Sequence, residues 1–582
     1  PMTADPSRTP ILLLAAVVAA AAPSLLAYNV SPSPTFLNQA LALGTWGGFA
    51  LLLAAGQRSA AGFAASRAAA PVQLALALIA AAALWSGTAG ALPSSLCLSA
   101  LGLLGAAALL VHSGSAACSS DEAGDLFALF SWGFLIAGGL NLAIGLVQVF
   151  APGLADGDWI AVSNITGRAV GNLRQPNHLS SLLLWSVIAT VALVELRRLP
   201  RSAGALCLAA LVFGVVLTAS RTGLVSVLVL ALWGLLDGRL SWRTRALLLG
   251  APLIYAAGWF GMVRWAEISA HQFGGAARLA ETDVSGSRFG IWANTLTLIR
   301  SQPWTGVGFG EFNLAWTLTP FPGRPTAFFD HTHNLPLQLA VELGLPLAAL
   351  VMLALLWGLA RMGRRARQAP GEQAVSRRAA LMFVLMIGLH SLLEYPLWYA
   401  YFLLPTAWAF GYGLGAPPAR ASLPSRAGRP LMAPAAALMV LLAAFSLWDY
   451  SRVSAIFSAA EGSAPLAQRI EEGQHSVFFA HHADYAAATT ETEQRLREHA
   501  FDGAVHYLLD TRLMMAWAED LARRGDIDRA RHLAARLREF RNPLSDDWFS
   551  ACKKAPKAGQ PLPFQCTPQQ QLHGWREFVP RR

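Results

Sequence analysis

The residues best able to do chemistry lie in a polar stretch, Gly286 to Leu345, inside an otherwise apolar chain. Near its end Asp330 precedes the sequence HTHN, which contains His331 and His333. Imidazole is the natural general base near neutral pH, and a neighbouring carboxylate can orient the ring. Histidines two residues apart point to different sides of a helix, so they are not a natural metal pair. The pattern favours proton transfer, and no metal site is predicted.

Arginines form the second chemical feature. Arg288 lies in the same polar stretch, and Arg221 follows Ser220 at a tight turn between two apolar segments. The planar guanidinium binds phosphate through two parallel hydrogen bonds, so a lipid pyrophosphate at the membrane surface would attract both residues. The alternative for any single arginine is snorkelling or a salt bridge within a loop. The polar stretch and the residues before it also contain Arg278, Arg300 and Arg324.

Two further polar clusters flank apolar segments. The sequence GNLRQPNH covers residues 171–178, and HSLLEYPLWY covers residues 390–399. Their amides, charges and phenols are suited to holding a polar substrate, although the tyrosines fit equally well as anchors at the membrane interface. The GVGFG sequence at 306–310 indicates a turn, because no strand-turn-helix pattern of a nucleotide site surrounds it. The candidate substrate-binding residues are Arg168, Asn172, Arg174, Gln175, Asn177, His331, Asn334, Glu394, Tyr395 and Tyr399.

The elements that position these residues are predicted to be membrane helices. Of the 582 residues, 54% are hydrophobic and 13% are charged, which excludes a soluble multidomain protein. Backbone polar groups in lipid must be satisfied internally, so apolar spans of about 20 residues form helices. We therefore predict an all-α polytopic membrane protein with about thirteen spans. These lie near 11–28, 36–56, 71–90, 93–112, 126–151, 177–195, 203–219, 222–236, 246–263, 334–360, 379–393, 398–415 and 431–448.

The loop charges predict an orientation. The net charge of +10 could suggest nucleic acid, but most arginines lie in short loops on one predicted side of the membrane, as Arg197, Arg198 and Arg245 do. The positive-inside rule makes that side cytoplasmic, with the N-terminus inside and the C-terminus outside. The first apolar stretch is interpreted as a span and not as a cleaved signal peptide, because the later loops then keep their sides. The candidate site residues all fall on the outside.

The chain is predicted to contain a transmembrane domain over 1–448, including an outside loop at 265–332, and a soluble helical domain over 449–582. Within the second domain, Gly525 and Asp526 separate two helical patterns. This pair is typical of a tetratricopeptide hairpin or of an ordinary helical pair. Cys552 and Cys566 lie in the domain that is predicted to face outside, in an oxidising compartment, where they could form a disulfide. Free thiols are expected at Cys97, Cys118 and Cys207.

Several of these motifs together carry a resemblance to a known family. SRTG at 220–223, GSRFGIW at 286–292, PWTGVGFGEF at 303–312 and HTHNLPLQLAVELGLP at 331–346 resemble the O-antigen ligase and polymerase superfamily. The sequence GNLRQPNHLSSLLL at 171–184, the HSLLEYPLWY turn and the C-terminal helical domain are similar to the bacterial protein O-oligosaccharyltransferases of the pilin-glycosylation type.

The resemblance implies an O-linked oligosaccharyltransferase of the bacterial inner membrane with an active site facing the periplasm. It would move a preassembled glycan from undecaprenyl pyrophosphate to a Ser or Thr of a periplasmic protein such as pilin, without a cofactor. His333 would act as the base, with His331 as the alternative. Arg221 and Arg288 would bind the pyrophosphate, and Arg174, Gln175 and Asn177 would line the glycan or phosphate side.

Two other functions remain open on the sequence. A related enzyme would act on a carbohydrate acceptor, either ligating O-antigen to lipid A core or polymerising repeat units. A polysaccharide transporter fits less well, because transporters place polar residues near the middle of the membrane and contain internal repeats.

Overall fold

The computed structural model is helical in every regular element of its described residues, which confirms the predicted all-α class. Within the part of the chain that the structure describes, ten helices are long and apolar enough to cross a membrane, as a multi-pass membrane protein requires. Each predicted span overlaps a helix, although some of these helices are shorter than the ten. The number of crossings and their orientation stay predictions, and Arg278 falls outside the described residues. The structure describes residues 8–55, 61–269, 271–275, 284–416, 432–490, 494–553 and 561–579.

Local sequence explains where the helices beside the candidate site begin. The side chain of Gln175 accepts the backbone N–H of His178 and Pro176 occupies the first turn, so one helix starts at residue 176. The side chain of Ser220 caps helix Arg221–Leu236 in the same way by accepting the N–H of Gly223. The long helices are Arg8–Leu25, Phe36–Ala55, Ala61–Thr88, Ser94–Cys118, Ala123–Phe150, Pro176–Glu195, Arg201–Thr218, Arg221–Leu236, Trp242–Ser269, Val284–Ser301, Leu335–Gln368, Gly371–Ser391, Ala400–Leu414 and Met432–Phe457, and the shorter ones are Phe312–Leu318, Leu466–Gln474, Ala480–Thr489, Gln494–Arg497, Ala500–Ala504, Thr511–Arg523, Ile527–Phe540 and Asp546–Ser550.

The chain forms two compact units that are discontinuous in sequence. The first unit takes 1–76, 105–282 and 353–445, and the second takes 77–104, 283–352 and 446–582. This grouping differs from the predicted division at residue 448, because the large polar loop belongs with the C-terminal residues. The candidate residues are thereby divided as well. Arg221 and the GNLRQPNH cluster lie in the first unit, and Arg288 and the HTHN sequence lie in the second.

The first unit has an aromatic core. Phe130 stacks on Trp408 with ring centroids 4.5 Å apart, and Phe134 meets the edge of Trp185 at 5.3 Å. The indole of Trp185 donates to the backbone oxygen of Phe383 at 2.9 Å, which satisfies its polar atom inside the core. These contacts join helices from early and late parts of the chain around Pro176–Glu195, which carries candidate polar residues at its N-terminal end.

The second unit is built around the short helix Phe312–Leu318, all of whose residues are buried. Trp316 in this helix meets the edge of Phe540 from the C-terminal domain. Arg324 is 1% exposed, lies 4.5 Å from the Phe540 ring and forms an ion pair of 2.9 Å with Glu539. Burial lowers the pKa of Arg324 to about 10, although Glu539 opposes the shift. The polar loop therefore shares one core with the C-terminal domain.

Two sequence predictions about the C-terminal domain can be checked in the structure. Helices Thr511–Arg523 and Ile527–Phe540 are separated by a left-handed Gly525 at φ 86° and a capping Asp526, which confirms the predicted break. Cys552 and Cys566 form a disulfide, and the other three cysteines are free, as expected. Whether the helical pair belongs to a tetratricopeptide array stays a prediction.

His573 fastens the C-terminal segment to helix Ile527–Phe540. Its Nε2 lies 3.0 Å from Asp528 and its Nδ1 lies 2.8 Å from Glu577, while Asp528 also accepts the backbone N–H groups of Gln570 and Gln571. Burial would lower the pKa of His573, but the hydrogen bonds that its ring donates to Glu577 and Asp528 outweigh burial and raise the pKa above 6.5. The pKa of Asp528 is lowered, chiefly by the Gln570 N–H, and that of Glu577 chiefly by His573.

These shifts fix the pH range in which the His573 contact stabilises the fold. The contribution of His573 is complete below its unfolded pKa and disappears as pH rises through its higher folded pKa, whereas the contributions of the two acids disappear only in acid. We expect His573→Gln to lower the melting temperature of the detergent-solubilised chain at pH 6, and to lower it much less at pH 8.5. An equal decrease at both values would show that His573 does not act through its charge.

Candidate functional site

The backbone around His333 is held in an unusual conformation. His333 has a left-handed φ of 54°, which few residues with a side chain adopt without support. The preceding peptide groups supply that support. The N–H of Thr332 donates to the side-chain oxygen of Gln338 at 2.7 Å, and the carbonyl of Thr332 accepts the indole N–H of Trp292 at 2.9 Å. Asn334 caps the following helix by accepting the N–H of Leu337. The segment Asp330–Asn334, here called the hairpin, is thus fixed on both sides of His333.

The Trp292 contact also positions Arg288. Both residues lie on helix Val284–Ser301, four residues apart, and residues at this spacing share one side of a helix. The hydrogen bond from Trp292 to Thr332 therefore brings the helix side that carries Arg288 to the His333 hairpin. Arg288 and His333 therefore lie on two segments that this hydrogen bond joins, and their common role at one site stays a prediction.

A series of hydrogen bonds connects Thr332 through Gln338 and Glu342 to the glycine-rich loop at residues 306–310. Gln338 and Glu342 are 3% and 8% exposed, and the amide of Gln338 donates to Glu342 at 3.0 Å. The backbone N–H of Gly308 donates in turn to the carbonyl of Glu342. A side chain on Gly306 would lie 2.4 Å from that same carbonyl, so only glycine permits the approach. The GVGFG sequence is therefore a turn packed against a helix, which confirms its interpretation from the sequence.

The two histidines of the HTHN sequence differ in accessibility. His331 is 4% exposed and pairs with Asp330, whereas His333 is only partly buried. Their ring centroids are 4.4 Å apart, and the edge of Phe329 meets the His333 ring at 5.5 Å. Of the two, His333 is the imidazole that a substrate can reach more readily, and Asp330 and His331 surround it.

The first unit joins three of the predicted motifs by hydrogen bonds. Asn177 accepts the hydroxyl of Ser220 at 2.6 Å and donates to Glu394 at 3.1 Å. These contacts connect the GNLRQPNH cluster, the SRTG turn and the HSLLEYPLWY turn. Arg221 follows Ser220 directly and is exposed, so the network determines where its backbone lies. Residues separated by more than 200 positions in the chain therefore meet at one end of the helices.

Other predicted residues of the first unit are bonded to the protein backbone. Asn172 is 1% exposed and holds the carbonyls of Leu25 and Trp159, while Arg168 donates to the carbonyl of Thr218 at 2.8 Å. Arg174 reaches the carbonyl oxygens of Ala27 and Pro34, in the segment between the first two helices. Each of these side chains fixes a turn of the loop before helix Pro176–Glu195, and their predicted substrate contacts stay predictions.

The two predicted tyrosines pack beside a buried histidine. The hydroxyl of Tyr399 lies 3.4 Å from that of Tyr395, and the ring of Tyr399 meets the edge of His178 at 4.6 Å. His178 also bonds to Tyr401, and His390 bonds to Ser181 at 2.8 Å. An aromatic and imidazole layer therefore lies behind Asn177 and Glu394, where it fixes the geometry of the polar network.

The motifs of the sequence do not predict the contacts that position the backbone before His333. Trp292 and Gln338, which make these contacts, lie inside two of the motifs. Gln338 and Glu342 gave a usable signal, because two polar residues one turn apart on an apolar helix need a partner. A buried hydrogen bond of 2.7 Å between Glu311 and His506 gave no such signal, since the two residues are 195 positions apart.

Three segments of the chain match known protein families. Residues 206–352 match the family described as O-antigen ligase, and this segment contains Arg221, Arg288 and His333. The chain is thus similar to the O-antigen ligases, as its motifs predicted. Residues 169–194 match the protein glycosylation ligase family, and residues 378–543 match the C-terminal part of a virulence factor membrane-bound polymerase family.

This O-antigen ligase-like chain is also similar to two curated proteins, both of them O-oligosaccharyltransferases. It is 29% identical over 254 residues to the general O-oligosaccharyltransferase of Acinetobacter baylyi, covering 42% of the chain and 43% of the relative. It is 26% identical over 292 residues to the ComP-specific O-oligosaccharyltransferase of the same organism, covering 48% of each. The chain therefore spans just under half the length of these relatives. The predicted resemblance to the O-oligosaccharyltransferases is confirmed at this level.

The support beneath His333 can be tested without reference to any reaction. Trp292→Phe removes the indole N–H that binds the carbonyl of Thr332. Since the net contribution of one hydrogen bond to local stability is lost, we expect the amides around Thr332 to exchange about two- to tenfold faster. Hydrogen exchange followed by mass spectrometry on the full chain would measure it. Trp304→Phe is the matched control, since Trp304 is 77% exposed. Equal protection in both variants would contradict the assigned contact.

Proposed function

We propose that this protein is an inner-membrane O-linked oligosaccharyltransferase that moves a preassembled glycan from undecaprenyl pyrophosphate to a Ser or Thr of a periplasmic protein such as pilin. The observation that carries the proposal is the hairpin of the second unit, where Trp292 and Gln338 fix the peptide before His333 and align it with the helix of Arg288. Similarity to O-antigen ligases and O-oligosaccharyltransferases supports the same chemistry.

His333 would act as the general base. Its imidazole takes the proton of the acceptor hydroxyl while the oxygen attacks the anomeric carbon of the glycan. A new carbon–oxygen bond to the protein forms as the bond from the anomeric carbon to the pyrophosphate oxygen breaks. The lipid pyrophosphate leaves with the bonding electrons. Because this leaving group is already activated, the enzyme mainly positions the two substrates and stabilises the departing charge.

Arg288 and Arg221 would supply that stabilisation. Arg288 extends from the helix that Trp292 ties to the hairpin, and Arg221 extends from the first turn of a helix whose cap is held by Asn177. A guanidinium offers paired N–H donors in the geometry of a phosphate, and a positive charge strengthens its interaction as negative charge develops on the leaving group. Arg174, Gln175, Asn177, Glu394, Tyr395 and Tyr399 would line the remaining substrate path.

A carbohydrate acceptor is the second candidate. The matches to the O-antigen ligase and membrane-bound polymerase families favour a carbohydrate acceptor. In that case the same His333 and arginines would act, and the hydroxyl would belong to lipid A core or to another glycan. The matches to two protein O-oligosaccharyltransferases favour the protein acceptor.

The catalytic assignment makes a graded prediction. His333→Ala should lower the transfer rate by about a hundredfold or more, as expected when a general base is lost. Arg288→Lys and Arg221→Lys should each lower it by about tenfold to a hundredfold, since lysine keeps the charge but not the paired donors. Arg300→Lys is the matched control, because Arg300 is exposed on the same helix as Arg288.

The measurement uses the full chain in lipid nanodiscs with an undecaprenyl-pyrophosphate-linked glycan and pilin, and follows the mass of the pilin. Transfer by a folded His333→Ala variant at the unmodified rate would overturn the role of His333. Replacing pilin with lipid A core in a parallel reaction separates the two acceptor classes. Glycan found only on the lipid would favour the ligase function.

A further inference from the structure

The C-terminal part of the second unit contains a cavity of about 590 Å³ that plays no part in the proposed chemistry. Its walls come from the end of helix Ala480–Thr489, from Arg497, from one side of helix Thr511–Arg523 and from Phe564. Alanines at 516 and 522 leave the space open, since a larger side chain on this helix side would enter it. A volume of this size is typical of sites that bind small ligands or short peptide segments.

Two arginines, Arg497 and Arg523, and one carboxylate, Glu519, line the cavity, so the charged groups of its walls are positive in sum. The buried Nε of Arg497 has no hydrogen-bond partner among the described residues. Arg523 shares its partner, Asp520, with Arg524. The carboxylate of Glu519 accepts the indole N–H of Trp548 at 2.8 Å, so one of its oxygens is already occupied. A buried guanidinium N–H without an acceptor is costly, and a carboxylate from a ligand would remove that cost.

The remaining wall is aromatic and is fixed covalently. The rings of Phe564 and Trp548 meet edge to face, with their centroids 5.8 Å apart. Phe564 lies two residues before Cys566, whose disulfide joins it to Cys552, four residues after Trp548. Thr489 and Thr490 donate their hydroxyl hydrogens to the carbonyls of Tyr485 and Ala486, which leaves their oxygen atoms as acceptors only. Arginine and aromatic side chains around a preformed pocket are the residue types that dominate protein recognition.

We propose that this cavity binds an extended, acidic segment of the acceptor protein, with a carboxylate held by Arg497 and Arg523 and the adjacent backbone lying between Phe564 and the two alanines. A peptide satisfies all the walls at once. Its carboxylate matches the guanidinium groups, its N–H groups match the threonine oxygens and its apolar atoms match Phe564. This inference rests on the proposed function for the identity of the partner, but the binding event requires no glycan.

The test measures binding to the full chain in nanodiscs by fluorescence anisotropy, with no glycan donor present. The probe is a labelled peptide of glycine, serine and two glutamates, compared with the same peptide carrying glutamines. We expect the glutamate peptide to bind more tightly. The double variant Arg497→Gln and Arg523→Gln should weaken it by about tenfold or more, as the loss of charge-assisted hydrogen bonds predicts.

Arg524→Gln is the matched control, because this arginine follows Arg523 but does not line the cavity. Ala522→Phe fills the space without changing charge and should weaken binding to a similar degree, so the proposal does not depend on one kind of variant. Equal binding of the two peptides, or equal effects of the cavity and control variants, would overturn it. Binding of an oligosaccharide of hexuronic acids in place of the glutamate peptide would also overturn it. Failure of glycan transfer would leave this result unchanged.

Discussion

The arrangement of the segment around His333 depends on one residue, Thr332, whose backbone N–H and C=O belong to the two peptide groups that precede His333. Both atoms are bound by side chains from different segments, Gln338 from the following helix and Trp292 from the preceding one. A buried peptide group that loses a partner costs about 1 to 3 kcal/mol, so neither side chain can be replaced without penalty. The left-handed backbone of His333 persists because its neighbours are held in this way. The position of the candidate base is therefore set by groups that take no part in the reaction.

The same principle explains why polar residues are tolerated so close to apolar helices. Gln338 and Glu342 are buried, but each has its hydrogen bonds satisfied by the hairpin and by the glycine-rich loop. In the first unit, Asn177 uses both ends of its amide to connect Ser220 with Glu394. Polar groups in these places are costly alone and stable as complete networks. Each network fixes a backbone that carries an arginine or histidine of the candidate site.

Much of this could be predicted from the sequence, because the signals are local. Apolar length predicted the helices, and Gly525 and Asp526 marked the break between two helices of the C-terminal domain. The contacts that hold the site could not be predicted in the same way. Asn177 and Glu394 are 217 positions apart, and Glu311 and His506 are 195 apart, so their meeting depends on the fold as a whole. The buried position of Arg324 was hidden for the same reason, since its partners Glu539 and Phe540 lie in the C-terminal domain.

The shared core of the second unit bears on how an acceptor protein could be selected. Helix Phe312–Leu318 belongs to the polar loop by sequence, but Trp316 packs on Phe540 and Asn313 accepts the N–H of Leu509. The C-terminal domain is therefore part of the unit that supports His333, and not an independent attachment. An acceptor segment bound by that domain would be held by the same compact unit as His333, the proposed base. Binding energy gained far from the reacting atoms could then be used to orient the acceptor, which is the way remote contacts raise the rate of a reaction between two bound substrates.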